Sequence, residues 1–387
     1  MKIKNLLMAA LALVCVGVMT SCSDDEPKKK LVILNGAQAN FGTAENVVWT
    51  DATVFNGKIF SLVVSLDKSG EENVEKYELY NSEDGAAWTK VEYTVDGEAG
   101  LIGGEGARLV VNNGKLYVLC GLRTMGKDVL GGDAEKSDWF GIIEPSLYFR
   151  VWESTDGVNF NTVNDLTLSR DGNDMTPVMN SQSSPYASAI SYNGKIVMQG
   201  GYMYGYGMFQ PNRMLLASEN GKDWEIIMPL DAEGNSFNLT NLGGSPFELN
   251  GKLFIAGGFN NFISPSFVVP TVVSTTDLKT WAAEETNIPA LYQAKVVCDG
   301  KVAYLFGSET LEEGARVMVP AVYKSVDGVN WEAVATPEGY EGYRFSSAVA
   351  YEGYAYFLGG YSTVSSGNYG NPGDTDTYST KGWNVKF

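Results

Sequence analysis

Arginine and aromatic side chains are the residues of this chain best suited to bind a ligand. A guanidinium presents a planar fork of donors that matches a carboxylate or a sulfate, which an ammonium does not. Flat aromatic rings with polar neighbours suit the apolar faces of sugar rings. The candidate ligand contacts are Arg108, Tyr204, Arg213, Phe262, Arg316, Tyr343 and Arg344. In the alternative interpretation, the arginines tie loops to the surplus of acidic residues and the aromatic residues pack glycine-rich loops.

Histidine is absent from all 387 residues of the sequence. Because histidine is the commonest general base and metal ligand, a Ser-His-Asp triad, a Cys-His pair and a histidine-ligated zinc or copper site are excluded. Acidic residues number 46 against 28 lysines and arginines, a formal net charge of −18. This charge makes a polyanionic nucleic acid a poor partner. We therefore expect no nucleic-acid partner, no metal ion and no cofactor.

The N-terminal segment has the pattern of an export signal. Lys2 and Lys4 precede an apolar run at 6–19, and Thr20-Ser21-Cys22 follows. The run is too short and wrongly flanked for a stable membrane span. The small residues before Cys22 resemble a bacterial lipobox, and the acidic stretch 23–26 resembles the surface-export signal of Bacteroidota-type lipoproteins. This resemblance implies a signal peptide at 1–21, a lipid on Cys22, a tether at 22–45 and an exposed location on the outer membrane.

Six copies of one hairpin pattern divide the chain from residue 46 onward. Each copy has an apolar run, a two-residue turn and a second apolar run. The turns are Asn56-Gly57, Asn113-Gly114, Asn193-Gly194, Asn250-Gly251, Asp299-Gly300 and Glu352-Gly353. Asn-Gly or Asp-Gly between alternating apolar residues is a strong hairpin signal, in which both turn residues adopt a positive φ.

A second signature, a Ser-x-Asp-Gly turn followed by an aromatic residue, stands downstream of each hairpin. Its aromatic positions are Trp88, Phe160, Trp224, Trp281, Trp331 and Trp383, and the copies at 274–281 and 379–383 are degenerate. The distances from the first turn to the aromatic residue are 32, 47, 31, 31, 32 and 31 residues. Two hairpins per repeat predict four antiparallel strands, and six repeats predict an all-β, six-bladed β-propeller at 46–387. Residues 31–49 must then meet the last blade to close the ring.

The repeats resemble two known types of propeller. Paired glycines before an aromatic residue, as in Gly200-Gly201-Tyr202 and Gly359-Gly360-Tyr361, resemble the kelch repeat of galactose-oxidase-like propellers. The Ser-x-Asp-Gly-x-x-Trp turn resembles a shortened sialidase Asp-box. Copper radical oxidases share the kelch-type scaffold but need two histidines, so the resemblance does not extend to their activity.

Sialidases use non-histidine chemistry, with an arginine cluster, a tyrosine nucleophile and acidic groups. Their early Arg-Ile-Pro-like motif is missing, because the first arginine here is Arg108 in Ala107-Arg108-Leu109. No tyrosine can be assigned as the nucleophile. With 46 acidic residues, however, carboxylate-pair glycosidase chemistry stays open.

The two faces of such a propeller should differ. Both tight hairpins of a blade open on one face, the hairpin face, while the second-to-third connections and the crossings between blades emerge on the other, the loop face. Length variation and all seven arginines fall on or beside the loop face, whereas lysines repeat in the hairpin turns. Rigid strands with variable loops are the usual setting for binding sites.

The sequence thus predicts a lipid-anchored surface protein whose propeller, without catalysis, binds a carbohydrate or another surface component on the loop face. The expected partner is a glycan or a cell-surface protein, and the lipid is the only expected contact with the membrane. Two alternatives stay open: a sialidase-like or other glycan-cleaving hydrolase, and a kelch-type protein-interaction module.

Overall fold

The computed structural model describes residues 33, 34, 36–38, 47–67, 74–103, 107–123, 147–175, 182–205, 208–211, 214–239, 243–258, 270–312, 315–342, 346–364 and 375–387. Its regular elements are all β-strands over these residues. No helix long and apolar enough to cross a membrane was found in this part of the chain. The predicted signal peptide and Cys22 lie outside the described residues.

The strands form six antiparallel sheets, the blades of a propeller, listed here from the inner to the outer strand. Blade 1 contains Val47–Phe55, Lys58–Asp67, Val74–Ser82 and Thr89–Lys90. Blade 2 contains Arg108–Asn112, Lys115–Arg123, Leu147–Ser154 and Asn159–Thr162. Blade 3 contains Gln182–Tyr192, Lys195–Gly205, Leu215–Ser218 and Asp223–Ile227.

The second half of the chain repeats this arrangement. Blade 4 contains Ser245–Leu249, Lys252–Ala256, Val272–Thr275 and Trp281–Glu284. Blade 5 contains Leu291–Cys298, Ala303–Glu312, Ala315–Ser325 and Glu332–Val334. Blade 6 contains Ser347–Tyr351, Tyr354–Leu358, Lys381–Lys386 and Ala37–Gln38. The inner strand of each blade contacts that of the next, and blade 6 contacts blade 1. The predicted six-bladed β-propeller is confirmed.

Short strands extend this frame. Thr94–Val95 and Thr167–Arg170, which belong to the crossings between blades, run parallel to the outer strands of blades 2 and 3. Asn173–Asp174 pairs with the second of these, and Met208–Pro211 pairs with the end of Lys195–Gly205. Tyr361–Val364 and Thr375–Tyr378 form a separate hairpin. Part of the predicted loop face is therefore built from paired strands.

The core lies between the blades. Each second strand packs against both neighbouring blades, so Lys252–Ala256 and Tyr354–Leu358 are almost continuously buried. This two-sided burial explains why these strands read as unbroken apolar runs. Five apolar clusters fill the seams from blades 1–2 to blades 5–6.

The N-terminal segment closes the ring by supplying the outer strand of blade 6. Ala37 pairs with Gly382 and Gln38 with Lys381, and the Leu34 amide donates to Asn384 Oδ1 at 3.0 Å. The last copy of the second signature was therefore misread from the sequence. Trp383 lies inside the third strand of blade 6 and donates to the carbonyl of Glu338, rather than following a turn into a fourth strand. The other five copies do join the third strand to the fourth.

The hairpin turns follow the expected geometry in five blades. The first turn residues Asn56, Asn113, Asn193, Asn250 and Glu352 have φ between 47 and 53° and each precedes a glycine of positive φ. Blade 5 differs: Cys298 pairs with Ala303, so its turn has four residues, and of its predicted pair only Gly300 has a positive φ. The prediction of a two-residue turn at Asp299-Gly300 was wrong, and the longer turn shifts the register of the strand before it.

The second signature is a self-contained hydrogen-bonded turn. In blade 2, Ser154 Oγ accepts from the Gly157 amide at 2.8 Å, and Asp156 Oδ1 accepts from the amides of Val158 and Asn159, both at 2.8 Å. These bonds hold the pKa of Asp156 well below its usual range. Because the carboxylate is occupied by its own turn, the signature acts as scaffold. No cluster of three or more acidic or cysteine side chains that could hold a metal ion was found in the described part of the chain.

Candidate functional site: a polar ring at the propeller axis

One polar residue from each inner strand stands at the same level of the ring. This level is defined by the backbone pairing between the inner and the second strand of each blade. The pairs are Asp51 with Leu62, Arg108 with Leu119, Ser188 with Gln199, Ser245 with Ala256, Lys295 with Phe306, and Ser347 with Leu358. We call these six inner residues the polar ring. In blades 2, 4 and 6 the ring residue is the first residue of its strand. Since the hairpin turn is at the other end, the ring lies at the loop-face end of these inner strands.

Four members of the polar ring bind the backbone of the following blade. Asp51 Oδ2 accepts from the Leu109 amide at 2.7 Å, and Arg108 Nε donates to the Ala187 carbonyl at 2.7 Å. Ser188 Oγ donates to the Gly244 carbonyl at 2.9 Å, and Ser245 Oγ accepts from the Val296 amide at 2.8 Å. These bonds join blades 1 through 5 in sequence, and we call them blade staples. An aspartate, an arginine and two serines thus each connect one blade to the next.

The remaining members, Lys295 and Ser347, make no such bond. No hydrogen bond or ion pair reaches the Lys295 ammonium from any residue that the structure describes. Ser347 is 1% exposed, and its hydroxyl has no partner there either. The Ala52 amide, which holds the position that Leu109 and Val296 hold in their blades, is bound by the neighbouring Asp51 carboxylate. Among the residues that the structure describes, the seams from blade 5 through blade 6 to blade 1 therefore lack the blade staple.

The ring carries two cations and one carboxylate, in a protein of net charge −18. Burial raises the pKa of Asp51 despite the opposing pull of Arg108 and Lys295. Burial also lowers the pKa of Arg108, which is nearly enclosed, and the charge of Asp51 counteracts this. The pKa of Lys295 falls to about 8 because of burial and the like charge of Arg108. Lys295 is half-buried as a residue, and protein surrounds its ammonium.

The structure describes three of the seven predicted ligand contacts. Arg108 lies in the polar ring, with its guanidinium bound to backbone carbonyls. Tyr204 pairs with Phe209 in the strand extension of blade 3, and Arg316 belongs to the third strand of blade 5. Arg213, Phe262, Tyr343 and Arg344 lie outside the described residues. Ligand binding by these residues stays a prediction.

The chain on both sides of Tyr343 and Arg344 is anchored beside the unstapled seams. Gly342 is buried, and its carbonyl accepts a hydrogen bond from Ser308 in the second strand of blade 5. Ser346 is 2% exposed and directly precedes the ring residue Ser347. The three intervening residues therefore connect an anchor on blade 5 with the polar ring of blade 6.

Sequence reasoning missed Asp51, Lys295 and Ser347. A signal was present, because Asp51, Arg108, Ser188, Ser245 and Ser347 each stand five residues before the first turn residue of their blade. Lys295 breaks this spacing by one residue, since blade 5 has the longer turn. Aligning the repeats on the turns would have revealed five of the six ring positions.

Four of the five lysines of the hairpin turns lie in local ion pairs. Lys58 lies 3.0 Å from Glu83, Lys115 2.8 Å from Glu153, and Lys252 2.6 Å from Glu284. Lys195 has longer contacts with Glu219 and Glu225. These four turn lysines therefore have nearby carboxylates, in contrast to Lys295 in the ring.

Comparisons with known proteins bear on the fold alone. No protein-family model matches the chain, and no curated protein matches it. A solved structure titled "Structure of YjhT" is similar, with a TM-score of 0.51 and 11% sequence identity, over 88% of this chain and 95% of that one. At this identity the likeness supports the propeller architecture and carries no function to this protein.

Proposed function

We propose that this protein is a lipid-anchored surface protein whose propeller binds a carbohydrate, or another surface component, on the loop face without catalysing a reaction. The observation that carries the proposal is the polar ring. It lies at the loop-face end of the inner strands, and it concentrates Arg108 and Lys295 in an otherwise acidic protein. Concentrated positive charge attracts ligands of opposite charge.

The contents of the ring favour binding over glycan cleavage. Glycosidases use two carboxyl groups, about 5–5.5 Å apart in retaining enzymes and about 6.5–9.5 Å apart in inverting ones. Asp51 is the one carboxylate of the polar ring, and it accepts hydrogen bonds from the amides of Leu109 and Ala52. A carboxylate committed to two amides is poorly placed to transfer protons to a substrate.

The proposal is tested with the full-length protein purified in detergent. We expect it to bind a subset of a glycan array, and we expect Tyr204→Ala or Arg344→Lys to weaken this binding. Lys252→Ala, on the hairpin face, is the matched control and should bind as the wild type does. Equal loss in all three variants, with melting temperatures unchanged, would contradict the assignment of the loop face.

Two further assays address catalysis and anchoring. Incubation with fluorogenic glycosides should release no fluorophore, and steady release that scales with protein concentration would favour the hydrolase. Cys22→Ala should move the protein from the detergent phase to the soluble periplasmic fraction. Unchanged partitioning of this variant would contradict the lipid anchor.

A further inference from the structure

Three buried or half-buried polar groups in the described part of the chain have no partner near one place in the propeller. They are the Lys295 ammonium, the Ser347 hydroxyl and the Ser61 hydroxyl. Ser61 pairs with Ala52 in blade 1, next to the ring level, and is fully buried. All three belong to blades 5, 6 and 1, and no blade staple was found between blades 5 and 6 or between blades 6 and 1 among the described residues. Elsewhere in the ring, polar groups of the same kind are hydrogen-bonded.

We propose that the unstapled part of the polar ring, between Lys295 and Ser347, is a subsite for one oxyanion group, and that the ligand of the loop face carries a carboxylate or sulfate that enters it. This inference rests on the proposed function, because it names the chemical class of that ligand. Lys295 would be the charged contact and Ser347 a hydroxyl donor.

Lys295 is suited to this role because no described residue forms an ion pair with its ammonium. An ammonium taken out of bulk water normally acquires a carboxylate or several acceptors, since a buried cation without partners is costly. Four of the five hairpin-turn lysines have such a carboxylate in the described part of the chain. At Lys295 the nearest charged influences are Arg108, which repels it, and Asp51, whose carboxylate is bound to two amides. A bound oxyanion would supply the missing counter-charge.

Ser347 provides an independent indication. A buried hydroxyl without a partner costs about 1–3 kcal/mol, so such groups are uncommon in native proteins. Its equivalents Ser188 and Ser245 are both satisfied by the following blade. Ser347 follows Lys295 in the order of the ring, and a hydroxyl beside an ammonium is a common arrangement for binding an oxyanion.

The pKa of Lys295 supports the same inference and predicts that anion binding depends on pH. Its pKa of about 8 means that the ammonium loses its proton at a lower pH than an exposed lysine does. Among the described residues, the charged groups facing it are Arg108 and Asp51. Glu248 of blade 4, Cys298 of blade 5 and Tyr351 of blade 6 lie at least three residues nearer the hairpin turns. Oxyanion affinity should therefore fall about tenfold between pH 7 and pH 9.

The test compares glucuronate with glucose, two sugars that differ by a carboxylate, by calorimetry on the full-length protein in detergent. We expect glucuronate to bind at pH 7 and glucose to bind at least tenfold more weakly. Lys295→Met should lower glucuronate affinity at least tenfold, as loss of a charge-assisted hydrogen bond implies, and Ser347→Ala should lower it severalfold. Lys301→Met, an exposed lysine in the turn of the same blade, is the matched control and should change nothing.

The pH profile and a rescue variant separate a direct contact from a structural effect. Wild-type affinity for glucuronate should fall about tenfold from pH 7 to pH 9, whereas Lys295→Arg, which keeps its charge, should bind equally at both. Equal affinity of Lys295→Met and the wild type, or no binding of acetate, sulfate or glucuronate, would overturn the subsite. If acetate and glucuronate bind alike while the glycan array is blank, the subsite stands and the carbohydrate function fails. If neutral glycans bind and Lys295→Met is silent, the function stands and the subsite fails.

Discussion

The seams of this propeller fall into two kinds. From blade 1 to blade 5, each ring residue bonds the backbone of the next blade, whether it is an aspartate, an arginine or a serine. From blade 5 through blade 6 to blade 1, the corresponding lysine and serine have no such bond in the described part of the chain. The stapled seams use their polar groups for stability. In the subsite that we propose, the polar groups of the unstapled seams serve to bind a ligand instead.

Two of the tryptophans that follow second-signature turns, Trp224 and Trp88, provide the largest test of this contrast. Trp224, between blades 2 and 3, is 1% exposed, donates to the Gly221 carbonyl and meets Phe149 edge-on at 5.2 Å. Its replacement by alanine should cost about 3–5 kcal/mol of unfolding free energy. Trp88, in blade 1 near the unstapled seam, is only half-buried, so Trp88→Ala should cost clearly less. Denaturant unfolding measures both, and equal losses would remove this difference between the seams.

Arg108→Met should destabilise the protein by about 3 kcal/mol, slightly less than the loss of Trp224. The change deletes a donor to the Ala187 carbonyl and leaves Asp51 without its nearby buried cation. Removing one partner of a buried charge pair costs about 3–5 kcal/mol, and Lys295 would partly compensate here. Urea titration at pH 7 is the measurement, with Arg170→Met, an exposed arginine, as the control. A loss below about 1 kcal/mol would mean that this staple is not structural.

Serine substitutions should give smaller and opposite results at the two kinds of seam. Ser188→Ala removes a buried hydrogen bond to Gly244 and should cost about 1–2 kcal/mol. Ser347→Ala removes a buried hydroxyl that has no described partner, so stability in the absence of ligand should be unchanged or slightly higher. The two variants differ from the wild type by the same atom, and the comparison of their melting temperatures isolates the staple. Equal destabilisation would show that Ser347 is bonded after all.

The fold could be predicted because its signals are local. An Asn-Gly turn and a Ser-x-Asp-Gly turn each satisfy their own backbone, so they read the same in every blade where they occur. The prediction failed where a distant part of the chain decides the outcome. The strand that completes blade 6 comes from Ala37–Gln38, and Trp383 consequently lies in a third strand. The four-residue turn of blade 5 depends on pairing between Cys298 and Ala303.

The packing of the second-signature turn against the preceding blade could be recognised only from the structure. A Cβ at Gly221 would lie 2.6 Å from the Tyr117 ring of the preceding blade, and one at Gly157 would lie 2.7 Å from Phe60. Blade 4 carries Leu278 at this position, with φ of 68°, and the preceding blade offers Val197 instead of an aromatic residue. A glycine in the turn is thus matched by an aromatic residue of the preceding blade, and a leucine in the turn by a valine. The polar ring was likewise not predicted from the sequence, because Asp51, Arg108 and Ser188 occupy equivalent positions but are residues of different chemical types.

The smallest expected effect is the pH dependence of stability that Lys295 imposes. Its folded pKa is about 8, below the value of about 10.4 for an unfolded lysine. The native state therefore binds fewer protons than the unfolded state between these pH values. The charged Lys295 lowers the free energy of unfolding at pH 7, and this free energy should rise as the pH rises from 8 towards 10.4.

Replacing Lys295 by methionine removes this penalty. The full difference between the folded and unfolded pKa of Lys295 corresponds to about 3 kcal/mol. Because Lys295 is only half-buried, we expect Lys295→Met to stabilise the protein by about 1 kcal/mol at pH 7. The advantage of Lys295→Met over the wild type should shrink at pH 10, whereas Lys301→Met should show no pH-dependent difference. Glucuronate should reduce the advantage at pH 7, because a bound carboxylate compensates the charge of the wild type only. A constant advantage at both pH values, with or without glucuronate, would mean that Lys295 is not strained by its charge, and the contrast between the seams would then reduce to packing.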